Sequence, residues 1–289
     1  ALRTLIAIMP AHGKALDEYA KALELWKRLG ERAQMGGIYH NIGMLQQAQG
    51  DNAKALEYFK RSESIKRELG DEAGSARTAN HIARIHAAWK EYGLAFECLD
   101  RAIDVLFAQK DWASLATSHN VRGQILAEME KYQEALAAYA KSAQILESIG
   151  DSRGLAACLN NIALVHKARG DLPQALKHFQ QAAAIQEKIG DRRGLAATYN
   201  NIGVVHDSRG DYDHALEYYQ KDLELSRSIG DRRGVATTLN NIAILHSNHR
   251  QYAKALVGLE ECLGLCKDLK DQDMEDRIRE RIRRVKEMM

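Results

Sequence analysis

The sequence predicts an all-α protein, an α-solenoid of stacked helix-turn-helix repeats. Three observations carry that prediction. The 289-residue chain repeats itself every 40 residues, and each repeat holds two stretches whose apolar residues recur at helical spacing. Its composition is also that of a helix former, with aromatics at 6% and only Pro10 and Pro173 to break the pattern. Alanine and straight-chain residues lose least on entering a helix.

The period is read from punctuation, which is where repeat architectures declare themselves. IGDRRG ends at Gly194 and again at Gly234, IGDSRG at Gly154 and LGDEAG at Gly74, while LGERAQ begins at Leu29. Ala-Leu or Ala-Phe starts at 15, 55, 95, 135, 175, 215 and 255, with no insertion.

Taken in order, residues 1–30 form a partial repeat. Its apolar run LIAIM (5–9) is too short for a secretory core and is followed by Pro10. Six full repeats follow, at 31–70, 71–110, 111–150, 151–190, 191–230 and 231–270. The repeat at 191–230 serves as the template. Leu195, Tyr199, Ile202 and His206 place one helix face over about Arg192–Ser208. Gly210 suits the left-handed position that ends a helix, and Asp211 suits the cap of the next. A second helix then runs from about Tyr212 to Ile229, with Ala215, Tyr219, Leu223 and Ser226 on one face.

Two short helices cannot bury their apolar faces alone, so successive pairs must stack. Gly43, Gly123 and Gly203 share one phase with Ala83, Ala163 and Ala243. Mid-helix glycine costs about 1 kcal/mol relative to alanine, so close helix approach is expected there. The second and third repeats depart most, with WKEY at 89–92 and QKDW at 109–112, where Lys110 replaces glycine. Drift and a specialised binding segment both account for this. Residues 271–289 form a last, capping helix, acidic at its start and basic at its end as a helix macrodipole favours. Met274, Ile278, Ile282, Val285 and Met289 form its apolar stripe, either a cap or the start of a module beyond this chain.

The string A-x-x-Y-N-N-I-G-x-x-H-x-x-x-G-D-Y-x-x-A-L-E-Y-Y resembles the tetratricopeptide repeat, in the 40-residue variant of Partner-of-Inscuteable adaptors, kinesin light chains and bacterial signalling proteins. The resemblance covers residues 31–270. It implies a right-handed superhelix whose first helices line a concave groove. By that resemblance the ligand-facing phases are His40, Met44 and Gln47; Arg77, Asn80 and Arg84; Thr117, Asn120 and Gln124; Asn160, Leu164 and Lys167; Asn200, Val204 and Asp207; Asn240, Ile244 and Ser247.

Asparagine holds one of these phases in five consecutive repeats, at 80, 120, 160, 200 and 240. Asn41, Asn161, Asn201 and Asn241 hold the next. A primary amide can pair with a peptide C=O and N–H together, so a row of amides suits an extended backbone. Met44, Leu164, Val204 and Ile244 then offer shallow pockets for anchors. The competing reading is that the amides tie neighbouring repeats together. Adjacent helix positions point about 100° apart, so the two members of each pair are expected to differ in role. Arg77 and Arg84 lie on the face of Asn80, and guanidinium forks suit a carboxylate or phosphate; a solvated or salt-bridged pair is the alternative. Lys167 faces Asp207, a candidate ion pair between repeats.

His86, His166, His206 and His246 share one phase, which points to packing, because a metal site needs ligands that converge once. His246, His249, Cys262 and Cys266 read H-x2-H-x12-C-x3-C within one hairpin. Zinc needs such ligands at about 2.0–2.3 Å. The two histidines sit on different faces and Cys262 holds a phase of small residues, so core thiols and no metal are expected.

The net charge of +2 and the absence of a one-sided basic run argue against nucleic acid. No apolar run approaches the roughly 18–20 residues that cross a bilayer. Cys98, Cys158, Cys262 and Cys266 lack framework spacing and read as reduced thiols of a cytoplasmic protein. No phosphate loop, nucleophile elbow or zinc-protease motif is present. The sequence therefore predicts a non-enzymatic scaffold without cofactor, binding an extended or acidic peptide segment of a partner protein. The alternative is a peptide-sensing or regulatory part of a larger signalling protein or enzyme.

Overall fold

The computed structural model describes residues 2–289, with side chains from Leu16 onward. Among the described residues there are fourteen helices and no strand. Two compact units divide the chain, Ala7–Asp151 and a second drawn mainly from Ser152–Met289. The first holds most of α1 (Leu2–Leu29) and three helical pairs: α2 (Arg32–Ala48) with α3 (Asn52–Glu68), α4 (Glu72–Ala88) with α5 (Tyr92–Ala108), and α6 (Trp112–Glu128) with α7 (Tyr132–Ser148). The second holds α8 (Ser152–Ala168) with α9 (Leu172–Ile189), α10 (Arg192–Ser208) with α11 (Tyr212–Ser228), and α12 (Arg232–Asn248) with α13 (Tyr252–Leu269). Helix α14 (Gln272–Glu287) packs on α13.

The template repeat folds as its pattern demands. α10 spans Arg192–Ser208, and α11 stops at Ser228, with Ile229 as its cap rather than its last turn. Leu195, Ile202, His206, Ala215, Tyr219 and Ser226 are buried. Gly210 ends α10 at φ +72°. Lys110 takes the same left-handed conformation at φ +58°, although an L side chain there costs about 1–2 kcal/mol. Its turn still closes, with Asp111 N–H on Leu106 C=O at 3.0 Å, so the departure at 109–112 changes the residue and not the backbone.

The Gly/Ala alternation has a steric cause. A Cβ on Gly43, Gly123 or Gly203 would come within 2.6–2.8 Å of the ring of Phe59, Tyr139 or Tyr219 on the paired helix. Where alanine stands, at Ala83 and Ala243, the residue sixteen positions on is Leu99 or Leu259, both buried. Ala163 faces the same offset from Phe179, so the rule is a tendency of aromatic partners, not an absolute one.

On α14, Ile278 and Val285 are buried, while Met274 and Ile282 pack partly against the same cluster. Met289 is 71% exposed, so the apolar stripe ends before it. Helix α14 covers the last repeat as a capping helix does.

Candidate functional site

The first helices of the pairs carry the expected ligand-facing residues, and in the unit Ala7–Asp151 three of these helices form one recess. Its volume is about 270 Å³, and its walls are His40 from α2, Arg77, Asn80, His81 and Arg84 from α4, and Ser114, Thr117 and Val121 from α6. Helical spacing aligns Arg77, Asn80 and Arg84 on the single face of α4 that enters it. Asn80 is only 4% exposed, and its Oδ1 has no hydrogen-bond partner. A buried amide oxygen left unpaired costs about 1–3 kcal/mol, a penalty that an incoming N–H removes.

The cations around it differ. Arg77 Nη1 donates to Asp111 Oδ2 at 2.7 Å, closing an ion pair between repeats. Arg84 makes no ion pair among the described residues and is exposed. His40 and His81 are held neutral near pH 7, because burial, reinforced by Lys66 and neighbouring cations, pushes both down to about 4. His40 Nδ1 lies 3.2 Å from the Thr78 hydroxyl, which also accepts from Lys66 at 3.0 Å. The recess thus offers one unpaired guanidinium, one unpaired amide oxygen and neutral imidazole walls. His81 was not among the sequence candidates. Its signal is its register, the phase that holds the second asparagine in four other repeats.

The unit Ser152–Met289 uses the same phase differently. Asn160 Nδ2 donates to Thr198 Oγ1 at 2.9 Å, and Thr198 reaches Gln186 Oε1 at 2.7 Å. Asn200 Nδ2 donates to Asp222 Oδ2 at 3.0 Å and lies 3.4 Å from Thr238 Oγ1. Asn241 Nδ2 donates in turn to Asn200 Oδ1 at 3.3 Å. Asp222 is 3% exposed and also accepts from Ser226 and Thr238. These amides therefore bridge repeats through the residue thirty-eight positions on, as His40 does with Thr78.

At Asn80 and Asn240 the amide oxygen is left over. Ser118 donates back to Ser114 C=O, and Asn80 Oδ1 stays unpaired. Ile278 stands opposite Asn240, whose Oδ1 is likewise buried and unpaired. Asn120 and Asn161 interact with neighbouring groups. Asn41 is exposed, while Gln124, Lys167 and Asn201 are half-buried. Lys167 and Asp207 do not form the expected ion pair among the described residues, and burial pushes the Asp207 carboxyl up. Met44 and Leu164 are exposed enough to meet a ligand, and Val204 and Ile244 are half-buried.

A second recess of about 660 Å³ lies between α12, α13 and α14, where Ile244 and Ser247 face Arg277, Arg281 and Arg284. The three arginines recur three and four residues apart, which is the spacing of one helix face. The sequence shows them as the basic end of a terminal helix, and that they share one face with a recess emerges only once α14 packs on α13.

Three histidines of the recurring phase stand beside the acidic residue at the turn between their paired helices. His86 Nδ1 lies 2.6 Å from Glu91, His166 Nδ1 3.4 Å from Asp171 and His206 Nδ1 3.0 Å from Asp211. The zinc pattern in the last hairpin does not assemble. Cys262 Sγ donates to Ala236 C=O at 3.2 Å, the bond that Ser62 and Ser142 make at the same phase to Gly36 and Ala116. Burial pushes the Cys262 thiol up to about 12, and His249 Nδ1 turns to Leu245 C=O.

Comparison with known proteins follows the same repeat. A family model described as tetratricopeptide repeat matches residues 11–68, 34–106, 113–188, 155–228 and 194–268. No curated protein matches the chain. Among solved structures, BtubC (BKLC) from P. vanneervenii is similar at TM-score 0.66 and 18% identity, over 76% of this chain and 92% of that one. A signal transduction ATPase with numerous domains from Pyrococcus horikoshii, with a tetratricopeptide repeat sensor, is similar at TM-score 0.69 and 16% identity, over 80% of this chain and 36% of that one. A Rap protein complexed with competence and sporulation factor is similar at TM-score 0.63 and 16% identity, over 88% and 75%. Identities this low speak to the fold alone. No helix among the described residues is long and apolar enough to cross a membrane.

Proposed function

The chain belongs to the tetratricopeptide repeat family, and on that premise we propose that it is a non-enzymatic protein–protein interaction scaffold that holds an extended, acidic segment of a partner protein. The observation that carries this reading is the recess on α4, where the buried, unpaired Asn80 Oδ1 stands beside the unpaired Arg84. Asn80 accepts a main-chain N–H of the segment, and Arg84 takes a side-chain or terminal carboxylate by charge-assisted hydrogen bonds. Exposed Met44 lies on the neighbouring first helix as an apolar anchor point. The amides at 160 and 200 are already engaged in bonds between helices, which leaves the recess on α4 as a place where an amide is open to the segment. The four cysteines are buried and form no disulfide among the described residues, which fits a reducing compartment such as the cytoplasm.

The test is an anisotropy titration with fluorescent peptides drawn from an acidic library, each with a free or an amidated C-terminus. Arg84→Glu should weaken the strongest binder about tenfold or more, which is 1.4 kcal/mol, with helicity unchanged. Equal affinity in the folded variant defeats the reading.

A second reading, a sensor that closes on a short ligand, is consistent with the shared fold of the Rap complex and of the repeat sensor of the ATPase. Small-angle scattering separates the two. A sensor contracts when peptide is added, and a static scaffold does not.

A further inference from the structure

The histidine that recurs at the turns has one repeat in which it does more than pack. In the turn between α10 and α11, His206 ends one helix, Asp211 caps the next, and His214 occupies the first turn of α11. His206 Nδ1 lies 3.0 Å from Asp211 Oδ2, and His214 Nδ1 lies 2.9 and 3.0 Å from the two carboxylate oxygens. The three side chains each offer a ligand atom, and all lie within 4.8 Å of one another. Four-coordinate zinc with bonds of about 2.0–2.1 Å holds its ligands roughly 3.3 Å apart, so the two nitrogen–carboxylate separations already stand near an edge of such a polyhedron.

Packing holds the donors in place. The His206 ring stacks on His214 at 5.1 Å and on Tyr218 at 5.6 Å, so neither imidazole swings freely over the turn. Asp211 differs from Asp171, Asp191 and Asp231, which accept the backbone N–H three residues on. Its own side chain makes no such cap and is directed to the imidazoles. His206 is buried and His214 is 60% exposed, which leaves one side open for an ion to enter and for a fourth ligand to bind.

The other turns lack the third donor. His166 faces Asp171, but Gln174 stands at the position of His214. His86 faces Glu91, with Leu94 there. His246 Nδ1 instead meets the Tyr212 hydroxyl, and Lys254 occupies the place. The recurring histidine argued against a metal at the sequence level. That argument holds for the phase and fails for this turn, because only here among the described residues do two imidazoles and a carboxylate converge.

We propose that His206 Nδ1, the Asp211 carboxylate and His214 Nδ1 form a divalent transition-metal site, with a fourth position open to water or to a donor from a partner. Two nitrogens and one oxygen suit zinc first, and also cobalt, nickel and copper, over calcium or magnesium. The site does not rest on the peptide-binding reading.

The experiment is calorimetric titration of the untagged, metal-stripped full chain with zinc sulfate, paralleled by cobalt(II) and its visible d–d bands. One equivalent should bind, with the strong bands of a four-coordinate cobalt centre. His214→Ala, at an exposed position, should lower affinity about tenfold or more, the scale on which even outer partners of a metal act, with unchanged circular dichroism. Gln174→His should add a second equivalent at the turn between α8 and α9. Absence of stoichiometric binding, or equal affinity in His214→Ala, overturns the proposal. So does zinc binding that survives His214→Ala and disappears in Cys262→Ser, because the ion would then sit at the buried thiols.

Discussion

Asn200 draws together three helices: its amide nitrogen donates to Asp222 on α11, and its oxygen accepts from Asn241 on α12. Burial pushes the Asp222 carboxyl up, and the bonds from Thr238, Ser226 and Asn200 offset that pressure only in part. Asn200→Ala removes one of those donors from a nearly inaccessible carboxylate. It should lower unfolding free energy by about 1–3 kcal/mol, the usual cost of leaving a buried polar group unsatisfied. Asn80→Ala removes an amide whose oxygen has no partner, and chemical denaturation should register a clearly smaller loss. A larger loss at Asn80 than at Asn200 would contradict this division of labour. The phase of the asparagines was legible because repetition displays it. Their partners were not, because the residue thirty-eight positions on becomes a neighbour only when repeats stack. The same limit hid the convergence at His214, whose only sequence signal is a histidine that no other repeat places there.

At the scale of the helical pair, the spacing between first and second helices is set by what stands opposite Tyr219. The ring lies so close to α10 that a Cβ on Gly203 would reach its Cε1 at 2.6 Å. Gly203→Ala gains helix propensity of about 1 kcal/mol and overpacks the pair at a cost of about 1–3 kcal/mol, so the net change should be destabilising. Tyr219→Leu should relieve the clash, because Leu99 and Leu259 occupy that position opposite Ala83 and Ala243. The double variant should therefore be less destabilised than the two single changes sum to, a coupling that thermal melts of the four proteins measure directly. Strict additivity would mean that ring and glycine do not compete for space. In the repeat 191–230 the helix bounds and turns were readable to within a residue, since they follow from local Gly-Asp chemistry. The pairing of glycine with an aromatic was visible only as two separate columns of the repeat.

Across the chain, the imidazoles pushed down to about 4 all fall in one of the two compact units. Ala7–Asp151 contains His40, His81 and His119, each pushed down to about 4, first by burial and then by cations: Lys66, Arg84, Lys141 and Arg122 among them. A histidine with a depressed folded pKa binds fewer protons in the native state than in the unfolded chain. Between about pH 4 and 6.5, therefore, stability rises with pH, and it levels off above 6.5. In Ser152–Met289, His178 and His246 shift the same way, but Asp207 and Asp222 are raised by burial. Those carboxyls hold protons natively that the unfolded chain has lost, so their contribution grows as pH falls toward 3.8, opposing the histidines. The unit Ala7–Asp151 should accordingly loosen first on acidification. Amide hydrogen exchange at pH 7.5 and 5.0, corrected for intrinsic rates, should show α4 and α6 losing more protection than α10 and α12. Equal losses, or a greater loss in α10 and α12, would place acid sensitivity elsewhere. His119→Phe should blunt the response of α6, since it removes one of the three titrating rings while keeping an aromatic in its place. The recess shares the same dependence, because His40 and His81 form its walls and gain charge only when the unit holding them begins to fail.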